Sequence, residues 1–402
     1  MSVFTSRPAM RWLVPGAAAA VLIGGGAALG ALAASADPVL PPRSAEQLLV
    51  DLQTAQVDGM SGTVVHRTEL GLPPAVNLAA QVGGNGLGSL LDGTHTVRVW
   101  YAEPDQARIA MVRTLGETDV IRNGRDVWIW SSQQSEASHF ELPQDVAEAA
   151  DRPAPEGLVT PQAAADEVLD AIDESTEVSV GRSAEIAGRT AYELVLTPRA
   201  EASLVKEIRI AIDSVEFVPL RFAVYAKGAD RAAIEIAFTQ VSFERPDAEQ
   251  FEFNPPPGTT VDEGADSGER QWPGNHDPEL WDPEQAGPGG LLEMFEDWPG
   301  AADSGAEVVR SAGSGWATVL VVTPPVEVAG HASDGGPAAG AEPADGSGPL
   351  LTLGDLPEVS GSWGSGRLFS SALLTVLLTD DGRILAGAVA PERLYEVAAQ
   401  TR

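Results

Sequence analysis

Glu207-Ile-Arg-Ile-Ala-Ile-Asp213 is the stretch on which the fold turns. In an extended chain Ile208, Ile210 and Ile212 fall on one side, and Glu207, Arg209 and Asp213 on the other. Side chains alternate across a strand, so the pattern predicts one buried and one wet face, as in an antiparallel sheet. Its neighbours Tyr192 to Leu196, Leu220 to Tyr225 and Ala233 to Phe238 repeat it. Upstream lies a second set: Thr63 to His66, Thr96 to Tyr101, Arg108 to Val112, Asp119 to Ile121 and Asp126 to Trp130. Turn signals such as Glu103-Pro-Asp105 and Arg122-Asn-Gly124 separate these runs. The expectation is two antiparallel meanders.

Helical spacing appears twice. Ser44 and Gln47 form a capping box ahead of Ala45, Leu48, Leu49, Leu52 and Ala55. Thr160 caps a second helix that starts at Pro161 and carries Ala164, Val168, Leu169 and Ile172 on one face. From Gly71 to Gly93 runs an apolar segment, with Leu87 and Leu90, that is too rich in glycine for a stable helix or strand. Its leucines and valines argue against a solvated linker, which would be polar.

The first sheet region closes at Phe251-Glu-Phe-Asn-Pro-Pro-Pro-Gly-Thr-Thr-Val261. Residues 264–304 are Gly, Pro, Asp and Glu with scattered Trp, and read as a linker. Residues 305–402 form a smaller α+β block: Gly315 to Val322, Gly366 to Phe369, Leu373 to Leu378, the turn Asp380-Asp-Gly382, Ile384 to Val389, and a last helix from Pro391 carrying Leu394, Val397 and Ala398. The division is therefore residues 1–36, 38–263, 264–304 and 305–402, and the fold class is α+β.

Arg7 and Arg11 precede an apolar run from Trp12 to Ala34, and small residues follow at Ala31-Leu-Ala-Ala-Ser-Ala36. This is the layout of an export signal, cleaved after Ala33 or Ala36. The run is also long enough to remain as a single membrane anchor. Either way, everything after Asp37 is expected outside the cytoplasm, in the cell envelope. The chain has no cysteine, which excludes disulfides, thiol catalysis and lipidation at a signal-peptide cysteine. Asp and Glu number 58 against 25 Lys and Arg, a formal charge of -33 that repels nucleic acid and anionic head groups. The bias toward Ala, Gly, Pro and Arg reads as a GC-rich genome, as in actinobacteria.

No catalytic set emerges. His66, His95, His139, His276 and His331 lie in unrelated stretches without metal-ligand spacing. Gly313-Ser-Gly315 and Gly364-Ser-Gly366 do not complete a nucleophile elbow. Gly83-Gly-Asn-Gly-Leu-Gly88 misses the dinucleotide fingerprint, and the acidic cluster at His276-Asp-Pro-Glu279 lacks the ordered spacing of a calcium loop. No cofactor, no metal and no enzymatic activity are expected. What remains is strand-borne apolar surface: Trp100, Ile109, Met111, Trp128, Trp130, Leu194, Leu196, Ile208, Ile210, Phe222, Val224, Ile234 and Phe238. It is either an ordinary core or the wall of a cavity for an acyl chain.

The order of elements resembles the LolA-type lipoprotein carriers and the related LppX and RseB/MucB proteins. The features that carry it run from the first helix through Pro104, Arg108, Asn123-Gly-Arg-Asp-Val-Trp128, the central helix, Asp213, Pro219 and Gly228 to the closing Phe-x-Phe-x-Pro-Pro-x-Gly, across residues 38–263. The resemblance implies an incomplete, curved antiparallel half-barrel with a helical lid, holding lipid or lipoprotein acyl chains. The apolar residues above would then line the cavity, with Leu48, Leu52, Leu87, Leu90, Val168 and Ile172 in the lid. It leaves two roles open: a carrier or chaperone at the envelope, or a sensor of the RseB/MucB kind that binds an anti-sigma factor or another regulatory membrane protein. The Gly71 to Gly93 insert, the acidic linker and the C-terminal domain depart from minimal carriers.

Overall fold

The computed structural model describes residues 40–72, 93–113, 116–142, 160–170, 172–263, 309–323 and 356–401. The export segment, most of the glycine-rich insert with Leu87 and Leu90, and the acidic linker lie outside them.

Both expected meanders form, and they join into one sheet. The first comprises β1 (Gly59–Thr68), β2 (Gly93–Ala102), β3 (Gln106–Arg113), β4 (Gly116–Asn123), β5 (Asp126–Ser131) and β6 (Glu136–Glu141). The second comprises β7 (Thr176–Val180), β8 (Ala184–Ile186), β9 (Arg189–Pro198), β10 (Val205–Asp213), β11 (Pro219–Ala226) and β12 (Ala232–Ser242). The first strand of one meander pairs antiparallel with the last strand of the other, β1 with β12, which makes the two a single surface. The short β13 (Thr260–Glu263) returns to the far edge and pairs parallel with β6, an addition that the sequence did not suggest. The result is a 13-stranded sheet running from β13 to β7 that does not close on itself. The expected half-barrel is met.

Two ten-residue helices belong to this sheet. The first, α1 (Ala45–Thr54), begins at Ser44, and both bonds of the capping box are present. Its Leu48 and Leu52 are buried in the main core. The chain ahead of it is held where Tyr192 Oη donates to the Pro41 carbonyl at 3.0 Å. The second, α2 (Pro161–Asp170), lies over β11 and β12 and buries Ala164 and Ala165. Isolated helices this short are marginal in water, so both depend on the sheet beneath them. Ile172, expected on α2, lies just beyond its end and still packs on the core. The side chain of Val168 is not among those described.

A second, six-stranded sheet has the order β14 (Val309–Ala312), β15 (Val319–Val322), β19 (Ile384–Gly387), β18 (Thr375–Thr379), β17 (Gly364–Ser370) and β16 (Glu358–Gly361). The helix α3 (Pro391–Gln400) covers one of its faces through Leu394, Val397 and Ala398. This is the expected small α+β unit. It docks on the large sheet at three places. Leu204 N–H donates to the Ala388 carbonyl (2.8 Å), and Ala390 N–H donates to the Ala202 carbonyl (2.7 Å). Ala372 N–H donates to the Leu70 carbonyl (2.9 Å). Trp316 Nε1 donates to Thr176 Oγ1 (2.8 Å), and Trp316 and Leu373 pack against the main core.

Candidate functional site

The two faces of the large sheet are built from different chemistry. Register partners share a face, so rows of side chains can be followed from strand to strand. One row runs Leu194, Ile210, Phe222, Ile236, His66, His95. Another runs Val99, Ile109, Val120, Ile129 across four strands. Since Ala164 and Ala165 of α2 join the same core as Leu194, Ile210 and Phe222, this helix-bearing side is the inner face.

The outer face of the second meander is a ladder of ion pairs. Glu193, almost fully buried, takes Arg221 Nη2 at 2.7 Å and Arg209 Nη1 at 3.3 Å, while Arg209 Nη2 meets Glu207 at 2.7 Å. At the β10–β11 turn Asp213 accepts from Arg189 Nη2 (3.0 Å), Val215 N–H (2.9 Å) and Glu216 N–H (2.8 Å). Burial opposes its ionisation, but these bonds outweigh it and hold the carboxyl below the usual carboxylate range. The alternation expected of Glu207 to Asp213 is thus realised, with isoleucines inside and charges outside.

The inner face is apolar and unevenly covered. Under α1 and α2, Leu194, Leu196, Ile208, Ile210, Phe222 and Phe238 are buried. Toward the free edge, Met111, Val120, Ile129 and Phe140 are only partly buried. The inner wall therefore continues from a packed core into apolar surface. A charged residue of this face, Arg122, is buried at the Tyr101 end of the strands, where Nε donates to the Gly124 carbonyl at 2.9 Å.

The expected cavity set divides between the two faces. Ile109, Met111, Leu194, Leu196, Ile208, Ile210, Phe222, Val224, Ile234 and Phe238 are inside. Trp100, Trp128 and Trp130 are outside, a correction to the expectation. Trp100 is the register partner of Arg108, whose guanidinium lies 5.3 Å from its ring centre. Trp128 stacks on His139 at 4.2 Å and meets Phe253 at 5.1 Å. Phe253 also approaches Trp130, at 6.0 Å. The closing segment around Phe251 and Phe253 thus straps the outside of the first meander, with Arg108 Nη1 donating to the Gln250 carbonyl at 3.4 Å beside the Arg108–Asp119 ion pair. These aromatics form a satellite core of the strap and have no access to the inner wall.

The inner face also holds residues whose placement the sequence did not reveal. His66 and His95 are register partners on β1 and β2, with ring centres 6.2 Å apart. His66 is 7% exposed; its Nε2 is 3.2 Å from Thr68 Oγ1, and its buried Nδ1 has no hydrogen-bond partner among the described residues. Burial, with a smaller contribution from His95, pushes its pKa down to about 4, so it is neutral at pH 7. Among the described residues, no group of three or more His, Asp or Glu is placed to hold a metal ion, and no helix is long and apolar enough to cross a membrane.

No family model and no curated protein matches this chain. Among solved structures it is similar to MucB of Pseudomonas aeruginosa in its complex with MucA, at 14% identity over 88% of this chain and 96% of that one, with a TM-score of 0.38. It is also similar to an uncharacterized conserved protein from Thermus thermophilus, at 10% identity over 55% of this chain and 99% of that one (TM-score 0.31). A LolA superfamily protein from Nitrosomonas europaea aligns at 11% identity over 53% of this chain and 99% of that one (TM-score 0.22).

Proposed function

We propose that the chain is a non-enzymatic protein of the cell envelope that holds acyl chains, of a lipid or of a lipoprotein, against the inner face of its open sheet. The observation that carries this reading is the continuous apolar inner wall, whose Met111, Val120, Ile129 and Phe140 remain partly exposed while the ion pairs are kept to the outside. Such a wall matches hydrocarbon and offers an anionic group little. Acyl chains gain roughly 0.8 kcal/mol per buried CH₂, so a chain of moderate length is held firmly without polar contacts.

Adjacent residues on β5 supply the test, because Ile129 faces in and Trp128 faces out. Uptake of a fluorescent fatty acid should be lost in Ile129→Asp and kept in Trp128→Phe. Equal uptake by both variants would contradict the reading.

A second reading is a sensor that hands ligand occupancy on to a membrane-protein partner. The docking of the small sheet favours it, since Ala372 bonds to Leu70, immediately after β1, and Trp316 to the start of the edge strand β7. A carrier tolerates deletion of residues 305–402 with ligand uptake intact, whereas a sensor loses its partner binding.

A further inference from the structure

His66 is an anomaly in the inner wall. Around it the register places Val64 and Thr68 on the same strand, Ile236 on β12 and His95 on β2. An imidazole nitrogen buried there without a partner is costly, because a hydrogen bond to water has been given up and not replaced. Thr68 Oγ1 engages Nε2, which leaves Nδ1 as the open position. A ligand group that meets Nδ1 removes the penalty and so adds selectivity to an otherwise non-directional apolar site.

The electrical state of the ring decides what that group is. His66 is neutral at pH 7, so it supplies one donor or one acceptor and no charge. An ionised carboxylate drawn to this point would lose its hydration and find no cation beside His66 among the described side chains. Among the side chains described, the guanidinium on this wall is that of Arg122, at the opposite end of the strands. An ester carbonyl or a hydroxyl meets no such penalty.

Building on the acyl-binding reading, we propose that His66, oriented by Thr68, is a polar anchor within the inner wall. It hydrogen-bonds an uncharged oxygen of an acylglycerol-type lipid, in preference to the carboxylate of a free fatty acid.

The test uses the full mature chain at pH 7.5 and two probes with the same chain and fluorophore, a monoacylglycerol and the free fatty acid. The wild type should bind the ester about tenfold more tightly, the difference expected for one hydrogen bond. His66→Phe should lower the ratio of ester to acid affinity about tenfold. His66→Gln, which can still hydrogen-bond, should retain part of the preference. Equal affinities in the wild type, or a preference that survives in His66→Phe, would overturn the anchor while leaving acyl binding in place. Binding of neither probe would overturn both. If the phenylalanine variant does not fold, His66→Leu takes its place with the same two outcomes.

Discussion

Gly62 lies directly beneath the ring of Phe238: a β-carbon at position 62 would stand 2.6 Å from Phe238 Cε1. The contact sits where β1 and β12 join the two meanders, next to the register shift between Thr63 and Val64. A bulge and a missing side chain let a large aromatic lie flat over the seam. Gly62→Val should displace Phe238 and destabilise the chain by about 2 kcal/mol, within the usual cost of overpacking. Chemical denaturation checks this; a stability unchanged within error would show that the seam is loosely packed.

Asp213 closes the β10–β11 turn with a carboxylate that is almost fully buried. Asp213→Ala leaves Arg189 and two backbone N–H groups without their acceptor, so a loss of about 3 kcal/mol is expected, as for breaking a buried pair. Because its folded pKa is depressed, the contribution of Asp213 is fully present above its unfolded value and is lost as pH falls through the folded one. The difference between wild type and variant should therefore be constant near neutrality and shrink below about pH 4.

His66 shifts the proton balance in the same direction, but over a higher pH range. Folding lowers its pKa from 6.5 to about 4, so between those values the unfolded chain binds a proton that the folded chain refuses. Stability should fall as pH drops from 6.5 toward 4 and flatten below that, by at most about 3 kcal/mol. In His66→Phe this limb should be absent. Denaturation midpoints of the two proteins in parallel across pH 7 to 4 give the answer; parallel curves would mean that the ring is protonated in the folded state.

Trp316 ties the small sheet to the large one through Thr176. Trp316→Phe keeps most of the packing and removes the bond, with an expected cost of about 1 kcal/mol. If the two sheets unfold as one unit, the single transition should shift as a whole. If the variant instead splits it into two transitions, Trp316 is the main coupling between them.

Much of this architecture was legible in the sequence because its strands alternate apolar with charged residues. Glu207 to Asp213 states which side is wet, and Ser44 with Gln47 states where α1 begins. The tryptophans were misplaced for the same physical reason turned round. In Asp126-Val-Trp-Ile-Trp130 both faces are apolar, so a period of two gives no inside. A usable signal existed one strand away: Arg108 marks the outer face of β3, and Trp100 is its register partner. The pairing of His66 with His95 spans the glycine-rich insert, and the parallel pairing of β13 with β6 spans more than a hundred residues, so local periodicity carries neither. The second helix was read two residues too long, since Ile172 keeps its apolar contact after the helix has ended.

The central claim is that the inner wall holds hydrocarbon, and native mass spectrometry of the protein purified from the cells that make it tests it most directly. Binding predicts a co-purified lipid mass that is released only on denaturation, is missing from Ile129→Asp and is kept in Trp128→Phe. A wild-type protein that carries no lipid and takes up no fluorescent fatty acid would contradict the account.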